Sequence, residues 1–173
     1  MRKQKGFSLI ELLIVVAIIL IIAAIAIPNL LRARMAANES SAASIVRTLN
    51  TAEVSYVTAY PSTGYATALT NLGGAAVPCV PAAATACLID NTLATNGNPA
   101  GSGKSGYSFA ATGIAASGAT TNAEYLVTAK PLAQGSSGVN SFCAVEDAVV
   151  RKDTTGVIAA SHDACAALNS LGN

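Results

Sequence analysis

Apolar and polar positions divide the first 60 residues into two stretches with different patterns. A basic start, residues 1–6, leads through Phe7 and Glu11 into sixteen uninterrupted apolar residues, Leu12 to Ile27. A run this long and apolar on every side predicts a membrane-spanning helix over residues 7–28. Glu11 is the one carboxylate there, and a lone charge in lipid costs about 2.5 to 3.5 kcal/mol on insertion scales. We therefore expect its partner on another molecule, most simply a second copy of the chain.

Beyond Pro28 the apolar positions become one-sided and predict an amphipathic helix over residues 29–60. They recur at mainly three- and four-residue intervals, at Leu31, Met35, Ala42, Ile45, Leu49, Ala52, Tyr56 and Tyr60. A helix from about Ser8 to Tyr60 would be roughly 75 to 80 Å long, far more than a bilayer needs. Pro28 lacks an amide donor and predicts a kink, and the segment Pro61 to Gly64 predicts the helix end.

Residues 61–173 predict a globular head with late strands. Aromatic and β-branched runs between turn residues indicate strands at Tyr107–Ala111, Tyr125–Ala129, Phe142–Val145 and Val149–Arg151. The short connection Glu146–Ala148 favours antiparallel order, with one sheet face against the stripe from Ile45 to Tyr60. The predicted fold is α+β, a long N-terminal helix with an antiparallel sheet packed on its second half.

Composition limits the remaining possibilities. The 173 residues are 52% apolar and 11% charged, which allows one modest domain beyond a membrane segment. Without residues 1–6 the chain has seven basic and nine acidic side chains, a balance of −2, so no specific nucleic-acid binding is predicted. The basic start places the N-terminus in the cytoplasm and the head outside.

The junction Gly6-Phe7-Ser8-Leu9-Ile10-Glu11 follows Arg2, Lys3 and Lys5. It resembles the leader junction of type IV pilins and of type II secretion pseudopilins, over about the first 60 residues. The resemblance implies that a prepilin peptidase removes residues 1–6 by cutting after Gly6 and methylates Phe7. It also matches Glu11 to the family's assembly glutamate and Pro28 to a proline near the end of the apolar stretch.

As a pilin, the chain would be a structural subunit, not an enzyme, most like a type IV major pilin and without a cofactor. The implied partners are other copies of itself, minor pilins, the prepilin peptidase/methyltransferase, and the assembly platform with its motor ATPase. The subunit would be stored in the inner membrane and then polymerised into an extracellular filament for motility, adhesion or uptake. A type II secretion pseudopilin or a minor pilin is the alternative within the same resemblance.

Charge balance gives a physical reason for the role of Glu11. Cleavage after Gly6 would create an amine with a reference pKa of about 7.7 to 8.0, hence a positive charge near Glu11. Pairing with Glu11 of a neighbouring subunit would specify register, since a displaced register strands two charges in apolar surroundings. Alternatively Glu11 pairs with its own N-terminus one helical turn away. A monomeric membrane-tethered binding domain would use that internal pair.

An ordinary secretory signal peptide is a rival interpretation of the N-terminal segment. Its cleavage site would be Ala24-Ile25-Ala26, which would leave Ile27 as the first residue. Glu11 inside the apolar core and Pro28 just past the cut argue against it.

Four cysteines permit three pairings, and an extracytoplasmic domain favours disulfides over thiols. We expect Cys79–Cys87, closing a small loop around Pro81, and Cys143–Cys165, tying the C-terminal tail to the sheet. The second pair resembles the disulfide-bounded C-terminal loop of many pilins. Structural zinc is the alternative, although the cysteines lack C-x₂₋₄-C spacing.

No catalytic constellation is convincing. The segment Gly101 to Ser105 resembles the end of a phosphate-binding loop but lacks its strand-loop-helix context, so we expect a turn. His162, the only histidine, is expected at the surface. The tyrosines Tyr56, Tyr60 and Tyr65 suggest helix–sheet packing rather than electron transfer. Acidic residues that could converge on calcium are Glu146, Asp147, Asp153 and Asp163, but their spacing fits no calcium loop, and we predict no metal ligand.

Overall fold

A computed structural model describes residues 7–74 and 78–172. By its internal contacts the chain divides into two compact units, Met1–Arg34 and Met35–Asn173. The element order is α1 (Leu9–Ala59), α2 (Leu69–Leu72), α3 (Asn91–Ala94), β1 (Tyr107–Ala115), β2 (Asn122–Pro131), β3 (Ser141–Ala144), β4 (Arg151–Asp153) and α4 (His162–Ala166). The predicted α+β class is confirmed.

The long helix α1 ends where the sequence predicts. Its last turn is closed by the Tyr60 amide, which donates to the Tyr56 carbonyl at 2.8 Å. Pro61 follows and disfavours helical geometry at Tyr60. Gly64 then takes a φ of +79°, and a Cβ at this position would collide with the backbone of Asn122. Glycine is therefore required where the chain leaves the helix and passes β2.

The four strands form one antiparallel sheet in the order β1-β2-β3-β4. Alternation of side chains along β2 separates two faces. One face carries Tyr125, Val127 and Ala129, which join Phe142 and the buried residues of α1 in the main core. On the other face Leu126 packs against a smaller cluster around Cys143 and Cys165. The sheet thus lies between α1 and the C-terminal segment, as the predicted packing of the sheet on the helix requires.

Two details of the prediction were wrong. The last strand is Arg151–Asp153, not Val149–Arg151, because Asp147 accepts a hydrogen bond from the Val149 amide and holds residues 146–149 in a turn. The buried stripe of α1 also begins later and is shifted: Leu31 is exposed and Ile45 only half-buried. Its fully or nearly fully buried members are Ala42, Ala43, Val46, Leu49, Asn50, Ala52, Glu53 and Tyr56.

Candidate membrane and assembly segment

The segment predicted to span a membrane is the first half of α1. Phe7 and Ser8 precede the helix, which begins at Leu9 with Glu11 in its first turn. Residues 7–34 are all exposed except Ala23, which is half-buried. By length and composition α1 can cross a membrane, and no residue of its most apolar window is buried within the protein. An apolar surface on every side of a helix requires a nonpolar environment on every side, either lipid or similar helices.

Glu11 is already hydrogen-bonded within its own chain. One carboxylate oxygen, Oε2, accepts a hydrogen bond from the Ser8 amide at 3.2 Å. This places the negative charge over the first turn, where free amides and the helix dipole favour an anion. Phe7, four residues before Glu11, is 78% exposed. The predicted cleavage residue Gly6 lies outside the described residues.

Pro28 lies within α1, which continues through it. Proline has no amide hydrogen, so the Ala24 carbonyl four residues earlier receives no helical hydrogen bond from this position. The kink at Pro28 stays a prediction.

The second half of α1 is tied to the sheet by a carboxylate that the sequence did not single out. The Glu39 carboxylate accepts hydrogen bonds from the Val139 amide at 2.7 Å, the Asn140 amide at 3.0 Å and the Asn140 side chain at 2.7 Å. Burial alone would raise the pKa of Glu39, but these hydrogen bonds hold it below its usual value. Glu39 therefore fastens the helix to the loop before β3.

Two disulfides close the head, in the pairing expected from the sequence. Cys79 is joined to Cys87, and Cys143 to Cys165, with Cα–Cα distances of 6.1 and 6.0 Å. Cys143 lies in β3 and Cys165 in α4, so the second bond ties the C-terminal segment to the sheet. All four cysteines are accounted for.

The four acidic residues considered for calcium contact three different side chains, those of Arg151, Thr155 and His162. The Asp147 carboxylate accepts hydrogen bonds from Arg151, and Asp153 from Thr155. Glu146 and Asp163 both contact the ring of His162. The hydrogen bond with Asp163, and to a smaller extent the one with Glu146, raises the pKa of His162. Within residues 7–74 and 78–172, no three histidine, cysteine or acidic residues form a cluster able to hold a metal ion.

The segment resembling a phosphate-binding loop forms a turn. Lys104 and Tyr107 exchange backbone hydrogen bonds, and the Lys104 ammonium pairs with Asp90 at 3.0 Å. A lysine held by a carboxylate before a strand differs from the strand-loop-helix arrangement that binds phosphate.

The tyrosines pack the helix against the sheet, as the spacing of Tyr56 and Tyr60 indicates. Tyr56 is buried, contacts the ring of Tyr60 in a tilted arrangement at a centroid distance of 4.9 Å, and donates a hydrogen bond to the Ala83 carbonyl at 2.6 Å. Tyr65 packs edge-on against Tyr125 at 4.7 Å.

Comparison with known proteins supports the resemblance drawn from the N-terminal residues. Residues 1–27 match the family model described as the prokaryotic N-terminal methylation motif. The chain is 68% identical over 40 residues to the type IV wide pilus major component PilA4 of Thermus thermophilus, covering 23% of this chain and 30% of that protein. It is 48% identical over 54 residues to the type IV major pilin protein PilA of Myxococcus xanthus, covering 31% of this chain and 24% of that protein.

These matches span less than a third of each relative, and no solved structure matches the chain. The predicted similarity to type IV pilins is confirmed over the N-terminal part of the chain.

Proposed function

We propose that the chain is a structural subunit of a type IV pilus, stored in a membrane by the first half of α1 and polymerised into a helical filament. The observation that carries this proposal is the exposed, wholly apolar helix with a single carboxylate, Glu11, in its first turn. In a filament the same surface exchanges lipid for neighbouring helices and stays dry.

The chemistry of assembly follows from the N-terminal motif. A prepilin peptidase cuts after Gly6 and methylates the new Phe7 amine, and the remaining positive charge pairs with Glu11 of a neighbouring subunit. The pair specifies register, because any other register leaves two charges unpaired in a nonpolar filament core. An assembly platform, a motor ATPase and minor pilins are the further partners, and the N-terminus faces the cytoplasm before assembly.

Both relatives are major pilus components by name, which favours a major pilin over a secretion pseudopilin or a minor pilin. The function is structural, without catalysis or a cofactor.

One contact favours a second candidate, a monomeric membrane-tethered binding domain. The hydrogen bond from the Ser8 amide to Glu11 shows that the carboxylate can be partly satisfied within its own chain. In that case Glu11 needs no neighbour, and the head alone carries the function.

Substitution of Glu11 separates the two candidates. We expect Glu11→Ala to abolish filaments in sheared surface material, seen by electron microscopy, while the membrane fraction retains the subunit. Ser8→Ala is the matched control, since it keeps the backbone amide that donates to Glu11 and should leave filament yield unchanged. Unchanged filaments in Glu11→Ala would contradict the register role.

N-terminal sequencing of the purified subunit tests the processing step. Phe7 as the first residue, carrying one methyl group by mass spectrometry, is the expected result. Ile27 as the first residue would instead support a removed signal peptide.

A further inference from the structure

Two arginines, Arg32 and Arg34, follow the apolar half of α1 and do not belong to the N-terminal motif. Residues 12–31 form a run of twenty helical positions without a charged side chain, and the run lies between Glu11 and Arg32. At about 1.5 Å per residue, a helix of this length is about 30 Å long, which is the thickness of the hydrocarbon core of a bilayer. A helix that spans a membrane with this run therefore brings both arginines to the level of the lipid headgroups.

Both guanidinium groups are accessible to a partner from the surroundings. Their side chains are exposed, and neither forms an ion pair with a carboxylate in the described part of the chain, whereas Arg151 pairs with Asp147. Nor does the helix supply a partner, because no acidic residue lies three or four positions before or after either arginine. Two permanent positive charges, unpaired among the described residues, are thus able to bind an anion.

The positions of the two arginines around the helix favour lipids as the source of that anion. Consecutive residues of an α-helix are about 100° apart, so Arg32 and Arg34 project about 200° from each other. One protein surface packed against one side of the helix would reach only one of two side chains that point in nearly opposite directions. Lipid headgroups surround a membrane-spanning helix on every side and reach both.

We infer that Arg32 and Arg34 bind the phosphate groups of anionic phospholipids in the leaflet at the C-terminal end of the spanning segment. The inference rests on the proposed storage of the subunit in a membrane, not on its polymerisation. A guanidinium donates two parallel hydrogen bonds to phosphate oxygens, while its aliphatic stem lies along the acyl chains and the charge stays at the surface. Anionic lipids are favoured over zwitterionic ones because their net charge attracts both arginines.

A tryptophan beside the arginines reports which lipids surround them. The chain has no tryptophan, so Leu30→Trp, at a position that is 69% exposed, introduces a single indole close to Arg32. The full-length Leu30→Trp chain is reconstituted in vesicles of equal parts phosphatidylcholine and phosphatidylglycerol, with bromine on the acyl chains of one lipid or of the other. Bromine quenches an indole only at short range, so the ratio of the two quenching efficiencies measures the local enrichment of phosphatidylglycerol. Because both leaflets have the same composition, the direction of insertion does not affect this ratio.

The arginines predict a definite order of ratios. Brominated phosphatidylglycerol should quench the indole at least about twofold more than brominated phosphatidylcholine, and high salt should reduce this preference. Arg32→Gln with Arg34→Gln should lower the ratio to about one. Arg32→Lys with Arg34→Lys keeps both charges and should retain most of the preference. Arg47→Gln removes an exposed arginine of the second unit and is the matched control, which should leave the ratio unchanged.

Formation of both disulfides, measured by thiol alkylation, shows that the head of each variant has folded. An unchanged ratio in the folded double glutamine variant would overturn this inference and leave the proposed pilus subunit intact. Loss of filaments from that variant with an unchanged ratio would assign the arginines to a contact between subunits and overturn the inference as well. Absence of quenching by either lipid would mean that α1 does not enter the membrane, and would overturn the proposed storage and this inference together.

Discussion

The Glu53 carboxylate accepts a hydrogen bond from the Ala66 amide at 2.9 Å inside the core between α1 and the chain that follows it. Its second oxygen, Oε1, is buried with no hydrogen-bond partner among the described residues, as is the hydroxyl of Tyr125. The titratable groups facing it are tyrosines, Tyr56 from the same helix, Tyr65 from the next segment and Tyr125 from β2. No cation compensates a charge at this position within those elements, so the neutral acid is favoured.

This burial makes the stability of the head depend on pH. Burial raises the pKa of Glu53 from 4.5 to about 7, against the opposing effect of the hydrogen bond from Ala66. Below about pH 4.5 the group is protonated in the folded and unfolded states, and its ionisation does not lower the free energy of unfolding. Between about pH 4.5 and 7 only the unfolded state ionises, so we expect the free energy of unfolding to fall by up to about 3 kcal/mol and then level off.

Glu53→Gln tests this dependence, because an amide cannot ionise. The variant should lose the decline between pH 4.5 and 7 and be the more stable protein at pH 7, measured by denaturant unfolding of the full chain in detergent. Glu39→Gln is the matched control. The pKa of Glu39 is lowered, so its contribution is present above its unfolded pKa and lost as pH falls through its folded value. A wild-type decline that persists in Glu53→Gln would show that another group causes it.

Sequence spacing predicted α1 and the four-stranded sheet, but not the short helices α2, α3 and α4 or the identity of every buried residue. The apolar run, Pro61 and the alternation in β2 predict α1 and the sheet because each reflects a local property of the backbone. Glu53 could have been flagged, since it lies four residues after Leu49 and three before Tyr56 on the same helix face. A glutamate side chain is normally expected to be exposed to solvent. Only the position of the Ala66 amide, which donates a hydrogen bond to the carboxylate, explains the burial of Glu53.

The N-terminal motif was the easiest part of the chain to recognise from sequence, whereas the contacts within the head were not predictable. Phe7 and Glu11 belong to one contiguous motif. Glu39 meets Asn140 across about a hundred residues of chain, and no local pattern encodes such a contact. The same holds for Glu146 and His162, which the turn before β4 and the start of α4 bring together.

The two disulfides should contribute unequally to stability. Cys143–Cys165 closes a loop with a sequence separation of 22 and is buried, whereas Cys79–Cys87 has a separation of 8 and is more exposed. Loop-closure entropy then predicts a loss of about 3 kcal/mol for the double substitution Cys143→Ala/Cys165→Ala and a smaller one for Cys79→Ala/Cys87→Ala. Denaturation midpoints of the two variants give the comparison. If the two variants lose equal stability, or if the Cys79→Ala/Cys87→Ala variant loses more, loop length alone does not determine how the disulfides constrain the denatured state.

Gly64 should tolerate no side chain, for two additive reasons. Its φ of +79° is strained for any residue with a Cβ, and that Cβ would collide with backbone atoms of Asn122, which cannot move without breaking its hydrogen bonds to Thr63 and Tyr65. Gly118 is a matched control, because its φ of +82° is nearly the same but nothing lies within 4 Å of an added Cβ. We expect Gly118→Ala to cost about 1 kcal/mol and Gly64→Ala at least about 3 kcal/mol, measured by thermal and denaturant unfolding. Equal losses in the two variants would mean that the backbone around Asn122 yields, and that its hydrogen bonds do not fix the exit of the chain from α1.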